Sequence, residues 1–206
     1  MPDLNLEEEV SGVVAGVDEV GRGPLAGPVF AAAVSIDRDI LPRSLIPLID
    51  DSKKLSSKKR KILSDNLWSA EGVSIGIGRA EVQEIDNYNI LNATHLAMAR
   101  AVDALPFEIN LALVDGNRAP PLSCDVITVV RGDSISFSIA AASIVAKVKR
   151  DRLMARLAME FPGYGWETNM GYGTKGHLAA LRQLGPTVHH RRSFAPVRFA
   201  LALTES

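Results

Sequence analysis

The stretch Val13 to Ile36, VVAGVDEVGRGPLAGPVFAAAVSI, decides how the chain begins to fold. Val13 to Asp18 and Pro28 to Ile36 are rich in β-branched and small apolar residues, and the glycine-dense turn GRGPLAGP stands between them. That arrangement suits a β-hairpin. Working outward, Val73 to Arg79 alternates like a further strand, and Ser56 to Leu67 and Ile90 to Leu105 carry helical signals, the latter rich in Ala, Leu and Met. Leu111 to Val114 and Val126 to Val130 then look like strands, and later segments are mostly helical. Antiparallel strands followed by strand–helix alternation predict an α/β fold, a mixed sheet flanked by helices.

The chain has 206 residues, enough for one substantial core, and no repeat or low-complexity linker divides it. Hydrophobic residues at 47% and charged residues at 23% are ordinary for a soluble globular protein. The acidic start MPDLNLEEEV lacks the basic and apolar regions of a secretory signal, and no uncharged run reaches the roughly 20 residues of a membrane helix. A single cysteine, Cys124, excludes an internal disulfide and a cysteine-built zinc site. A cytoplasmic protein is therefore expected, with no membrane association. Net charge is only −1, yet from Ala140 onward ten Lys/Arg stand against four Asp/Glu. This asymmetry suggests a basic face for a polyanion. The run KKLSSKKRK from Lys53 to Lys61 is a second basic cluster, and equally reads as a solvated surface.

Four acids stand where carboxylates have a reason to be: Asp18 and Glu19 after a strand, Asp115 after LALV, and Asp133 before a helix. Converging at strand ends, they would supply the hard oxygen ligands that a pair of Mg²⁺ or Mn²⁺ ions needs, with positions left for water and phosphate. Zinc fits less well, because His95, His177, His189 and His190 have no zinc-ligand spacing. Each acid also has an ordinary reading. Asp133 suits a helix N-cap, and Asp115 in VDGN suits an Asp-Gly turn. Adjacent Asp18 and Glu19 point to opposite faces of a strand, so both serve one site only if the strand ends or bulges there.

Gly21-Arg22-Gly23 lacks the further residues of a dinucleotide or ATP loop, and reads either as a tight hairpin turn or as backbone that lets a ligand approach. Ser136, Ser143, Lys147 and Arg150 fall on one narrow arc of a helix beginning near Ser134. This polar stripe either meets solvent or lines a cleft and offers Lys147 and Arg150 to phosphates. Tyr164, Trp166 and Tyr172, set among glycines, are either core or stacking surfaces for sugars and bases.

Taken together these segments resemble the ribonuclease HII family from about Gly12 to Val197. The resemblance is carried by GVDEVGRGPLAGPV at Gly16 to Val29, DSKKLS at Asp51 to Ser56 and EIDNYNILNATHLAM at Glu84 to Met98. VDGN at Val114 to Asn117, GDSISFSIAAASIVAKVKRDR at Gly132 to Arg152, GYGTKGH at Gly171 to His177 and GPTVHHRRSF at Gly185 to Phe194 follow in family order. His189 departs from an expected apolar residue, and the first ten residues lie outside the match. The resemblance implies a ribonuclease H-like mixed sheet with a helical C-terminal extension, residues 12–206 forming the type 2 domain and residues 1–11 an acidic tail.

The same resemblance implies that Asp18, Glu19, Asp115 and Asp133 are the catalytic metal-binding acids, served by Mg²⁺ or Mn²⁺ in a two-metal mechanism. It implies that Gly21, Arg22, Gly23 and Tyr172 recognise the RNA–DNA junction, while Lys53, Lys147 and Arg150 are candidates for holding flanking phosphates. The expected substrates are RNA–DNA hybrids and duplex DNA with embedded ribonucleotides, cut 5′ to the ribonucleotide to leave a 3′-hydroxyl and a 5′-phosphate. Two rivals are a related nuclease that cuts DNA and a hybrid-binding module without catalysis. Metal-dependent cleavage separates the second from an enzyme.

Overall fold

The computed structural model describes residues 2–49 and 56–204. Its centre is a five-stranded sheet of order β3-β2-β1-β4-β5, with β1 Val14–Val20, β2 Val29–Ile36, β3 Val73–Ala80, β4 Leu111–Asp115 and β5 Asp125–Val129. β1 pairs antiparallel with β2 in an unbroken register from Ala15↔Ser35 to Val20↔Phe30, the expected hairpin, and β2 pairs antiparallel with β3. On the other side β1 runs parallel to β4, ending at Val17↔Val114, and β4 runs parallel to β5. The sheet is thus mixed. Within it β1 and β4 present the carboxyl end of a parallel pair, the place where α/β sheets bind ligands.

Strand alternation divides the core in two. Ala15, Val17, Ala31, Ala33, Ala112 and Val114 pack on one face against α3, Val82–Asp103. Ala32 and Val34 pack on the other against α2, Ser57–Ser69, and α4, Phe137–Glu160. The small residues allow close approach: a Cβ on Gly16 would lie 2.2 Å from the backbone of both Ser138 and Ile139. α4 therefore crosses β1 almost backbone to backbone.

The sequence signals found only half of α3. Its first part, Val82 to Tyr88, precedes a break at Asn89, whose φ of 66° is left-handed. The Asn89 side chain accepts the N–H groups of Leu91 and Asn92, at 2.9 and 3.1 Å, and so caps a second helix where one was expected to begin. A short helix α1, Asn5–Glu8, stands before the sheet. The acidic start is bound to the domain rather than standing apart as a tail. Asp3 bridges to Ser136, and buried Glu7 accepts from the Ser136 hydroxyl at 2.6 Å and the Ser138 N–H at 2.9 Å. A carboxylate at the start of α4 is favoured by the unpaired amides and dipole there.

After α4, the short α5, Trp166–Asn169, and the helices α6, Lys175–Leu184, and α7, Ala195–Thr204, form the helical C-terminal region. Trp166, Leu157, Leu181 and Val197 give it a separate apolar cluster, joined to the sheet through Leu25 and Ala26 of the hairpin turn.

Candidate active site

The register of β1 against β4 builds the site. Val17 faces Val114, so Asp18 and Asp115 follow side by side at the end of the parallel pair. Both lie one residue beyond valines buried toward α3, and so on the face covered by α4. There the Ser143 hydroxyl, about one turn along α4 from the Gly16 crossing, hydrogen-bonds Asp18. The polar stripe of α4 does line the site at this point. Ser136 belongs to a different task, accepting the Ile139 N–H at 3.2 Å as the helix N-cap.

β1 does not bulge at Asp18. Its pairing with β2 continues to Val20, so Asp18 and Glu19 leave the strand on opposite faces, but its pairing with β4 ends at Val17, and past that end the longer Glu19 side chain is near enough to feel Asp115. They are coupled through the backbone, the Glu19 N–H donating to Asp18 Oδ1 at 2.7 Å, and both feel the charge of Asp115. Burial, followed by the charges of Glu19 and Asp115, raises the Asp18 pKa well above the usual carboxylate range. Burial also raises that of Glu19, against the lowering effect of Arg22, whose Nη1 lies 3.3 Å from Glu19 Oε1.

Asp133 is linked to the site through its neighbour in the chain. It lies buried in the single 3-10 turn Gly132–Ser134, and the preceding Gly132 donates its N–H to Asp115 Oδ1 at 2.6 Å. Its expected alternative as the cap of α4 is excluded, because the helix begins at Phe137 and Ser136 caps it.

Gly21, with φ of 95°, occupies a conformation that favours glycine, and a Cβ there would lie 2.2 Å from Arg150 Nε. Arg150 does not reach out to phosphate: it is fully buried and donates to the carbonyls of Pro28, Met170 and Ala26 at 3.1, 2.9 and 3.0 Å. Beside it Arg191, which sequence reasoning passed over, donates to Gly21 O, Arg22 O and Gly27 O at 2.6 to 2.9 Å. The two guanidiniums fasten the glycine turn from beneath. Burial lowers the pKa of Arg150 to about 10 and, with the Arg150 charge, that of Arg191 to about 9, so both remain cationic at neutral pH.

Tyr172 is 44% exposed, and a Cβ on Gly23 would lie 3.5 Å from its Cε1, so the ring stands beside the GRG turn. Tyr164 and Trp166 are core residues instead, stacked at 5.2 Å between ring centres. Lys147 is partly exposed and paired with Asp151 at 2.7 Å. Lys53 lies outside the described residues.

The sequence profile described as Ribonuclease HII matches residues 15–200. The chain belongs to the ribonuclease HII family. A ribonuclease HII is an endoribonuclease, a phosphodiester hydrolase that acts on RNA–DNA hybrids. The ribonuclease HII of Rhodospirillum rubrum is 62% identical over 202 residues, covering 98% of this chain and 93% of that protein. The solved ribonuclease H2 of Pyrococcus horikoshii OT3 superimposes with a TM-score of 0.79 at 25% identity, over 94% of this chain and 99% of that one. A Bst-RNase HIII solved in complex with Mn²⁺ shares the fold, with a TM-score of 0.71 at 22% identity over 94% of this chain and 70% of its own.

The donor set of this ribonuclease HII suits a hard divalent cation, since mutually repelling carboxylates at a strand end are relieved by positive charge. Among the described residues no group of three or more acid, histidine or cysteine side chains is arranged to hold a metal ion; what the fold supplies is Asp18 beside Asp115, with Glu19 coupled to both.

Proposed function

We propose that this ribonuclease HII is a divalent-metal-dependent endonuclease that cuts RNA in RNA–DNA hybrids and also cuts duplex DNA 5′ to an embedded ribonucleotide, leaving a 3′-hydroxyl and a 5′-phosphate. The observation that carries the reading is a run of neighbours, Asp18 with Glu19 and Asp115, Arg22 against Glu19, and Tyr172 beside Gly23 of the same turn. Residues 12–206 act as the type 2 domain, and the cytoplasm is the proposed location. Among the described residues no helix is long and apolar enough to cross a membrane.

Asp18, Glu19, Asp115 and Asp133 would hold Mg²⁺ or Mn²⁺; the Mn²⁺ in the solved Bst-RNase HIII supports such a cation. When bound, a pair of such ions supplies Lewis-acid activation of the attacking water and charge stabilisation at the departing oxygen. The protein orients its carboxylates in advance: Ser143 and the Glu19 amide hold Asp18, and the Gly132 amide holds Asp115. Gly21 and Gly23 let main-chain groups approach a ribose 2′-hydroxyl, while the Tyr172 ring packs on the following deoxyribose and disfavours a sugar carrying another hydroxyl. Arg22 stands with these glycines at the junction, and Lys147 and Lys53 would meet flanking phosphates, positioning the duplex without reading its sugars.

The test is cleavage of a DNA duplex carrying one ribonucleotide, beside an RNA–DNA hybrid and an all-DNA duplex, with Mg²⁺, with Mn²⁺ and with chelator, the product ends being mapped. Cleavage of the first two only, dependent on metal and with the stated ends, is expected. Cutting of all-DNA duplex, or activity in chelator, overturns the reading.

A further inference from the structure

Beneath Tyr172 lies a chain of hydrogen bonds whose directions are fixed. His177, in the first turn of α6, places Nδ1 2.9 Å from the Tyr172 carbonyl and Nε2 3.0 Å from His190 Nε2. Both rings are buried. The Trp166 indole N–H, which can only donate, points at His177 Nε2 at 3.1 Å. His177 Nε2 is thus an acceptor, and its proton sits on Nδ1, donating to Tyr172 O. Independently, the Thr187 backbone N–H donates to His190 Nδ1 at 2.9 Å, so the proton of His190 sits on Nε2 and donates to His177 Nε2.

Two donors of unambiguous direction, Trp166 and Thr187, therefore assign both rings to one consistent arrangement. That arrangement tolerates no extra proton. A hydrogen on His177 Nε2 would face two others, and one on His190 Nδ1 would face the Thr187 amide. Burial lowers the pKa of His177, and burial with the neighbouring His177 and His189 lowers that of His190 to about 3, in keeping with neutral rings.

The Tyr172 main chain is held from three directions. Its N–H donates to Asn169 O at 2.8 Å, and its carbonyl accepts from the Thr174 N–H at 2.8 Å as well as from His177. The preceding Gly171 O accepts the Leu25 N–H at 2.8 Å, tying the same segment to the glycine turn. Among these, the His177 bond alone reaches Tyr172 from a side chain, and His190 and Trp166 set its direction.

We propose that His177 and His190 are positioning residues for Tyr172, their directed hydrogen-bond chain fixing the tyrosine main chain so that its ring stays beside Gly23. The inference rests on the reading of Tyr172 as the junction-sensing residue. It makes both histidines determinants of substrate choice although neither touches nucleic acid.

The experiment measures kcat and KM on a single-ribonucleotide duplex and on an RNA–DNA hybrid for His177→Asn, His177→Leu, His190→Gln and His190→Leu, each alone and with Tyr172→Ala. An Asn amide at position 177 can still donate to Tyr172 O, and a Gln amide at 190 can still donate to His177 Nε2. The leucines cannot. His177→Leu and His190→Leu should lower kcat on the single-ribonucleotide duplex relative to the hybrid by about five- to tenfold, the worth of one hydrogen bond. His177→Asn and His190→Gln should recover most of the loss, and in the Tyr172→Ala background the histidine changes should leave the ratio unmoved.

Nitrogen NMR of the intact protein covers the case of a variant that does not fold. It should find Nδ1–H on His177 and Nε2–H on His190 at pH 6 to 8, and the opposite tautomer or a charged ring overturns the proposal. So does a substrate ratio that the leucine variants leave at the wild-type value while Tyr172→Ala lowers it, or that falls equally with and without Tyr172. If Tyr172→Ala itself keeps the wild-type ratio, the junction reading of Tyr172 falls, and this inference with it.

Discussion

Arg191 is the residue on which the glycine turn most depends, and removing it has a calculable cost. Its guanidinium is fully buried and makes four hydrogen bonds to the carbonyls of Gly21, Arg22 and Gly27. Hydrogen bonds from a charged group are worth about 1.5–3 kcal/mol each, but they do not add, and truncation also removes the cost of burying the charge. Carbonyls left inside without a donor cost about 1–3 kcal/mol apiece, so a net loss of about 3–5 kcal/mol is expected for Arg191→Ala. In a chain of this length each kcal/mol moves the melting temperature by about 2–4 °C, which places the variant about 6–20 °C below wild type. Arg191→Lys should fall between the two, since an ammonium lacks the planar fork that spans three carbonyls. Thermal unfolding by circular dichroism measures this directly. An Arg191→Ala protein that melts within about 3 °C of wild type would refute the reasoning, because no buried clamp could then be acting.

Other consequences follow from the same geometry. Asp115→Asn and Asp133→Asn should each lower Mg²⁺-supported cleavage by orders of magnitude while the fold survives, and near-normal turnover of the Asp133 variant would remove it from the metal site. Lys147→Ala should flatten the log–log dependence of substrate affinity on salt by about one unit, equally for hybrid and DNA duplexes; an unchanged slope would return its pair with Asp151 to ordinary surface. Gly16→Ala should unfold or severely destabilise the protein, since its Cβ would meet the α4 backbone at 2.2 Å, and a normal melting curve would contradict that packing. Acid should weaken the C-terminal cluster. His190 refuses a proton until about pH 3 when folded, whereas an unfolded histidine binds one near 6.5, so its contribution is present above 6.5 and shrinks as pH falls toward 3. Asp18, with its raised pKa, contributes in the opposite sense, so the check is the difference in melting temperature between wild type and His190→Gln across pH 4 to 7. That difference should change steadily; a constant offset would contradict the burial of a neutral ring.

The legible parts of the chain were those whose reasons are local. β-Branched runs and glycine turns marked the β1–β2 hairpin and the later strands, and with them the adjacency of Asp18 and Asp115 at the end of the parallel pair. Asn89 shows where locality failed, because a left-handed residue inside a helical stretch announces its break only through the side-chain bonds it makes. Arg150 failed for another reason. Helical periodicity put it correctly on the arc of Ser143, but whether that arc meets water or a neighbouring loop depends on the turn after β1, remote in sequence. Arg191 and the two histidines were present in the motifs that carried the resemblance, yet nothing in a one-dimensional string distinguishes an arginine that grips carbonyls from one that grips phosphate. Burial made that distinction.

The seat of Glu7 bears on where such a protein can be cut or lengthened. The family profile matches from residue 15, so a fragment trimmed to it would discard the carboxylate that plugs the start of α4. Ser136, Ser138 and the amides of that first turn would then open to water a few residues from Asp133, and the loop carrying one of the four acids would lose the strand-like bridge from Asp3 that backs it. The opening residues behave as a keystone set last. They are made before the arch and become useful only once position 138 has been made.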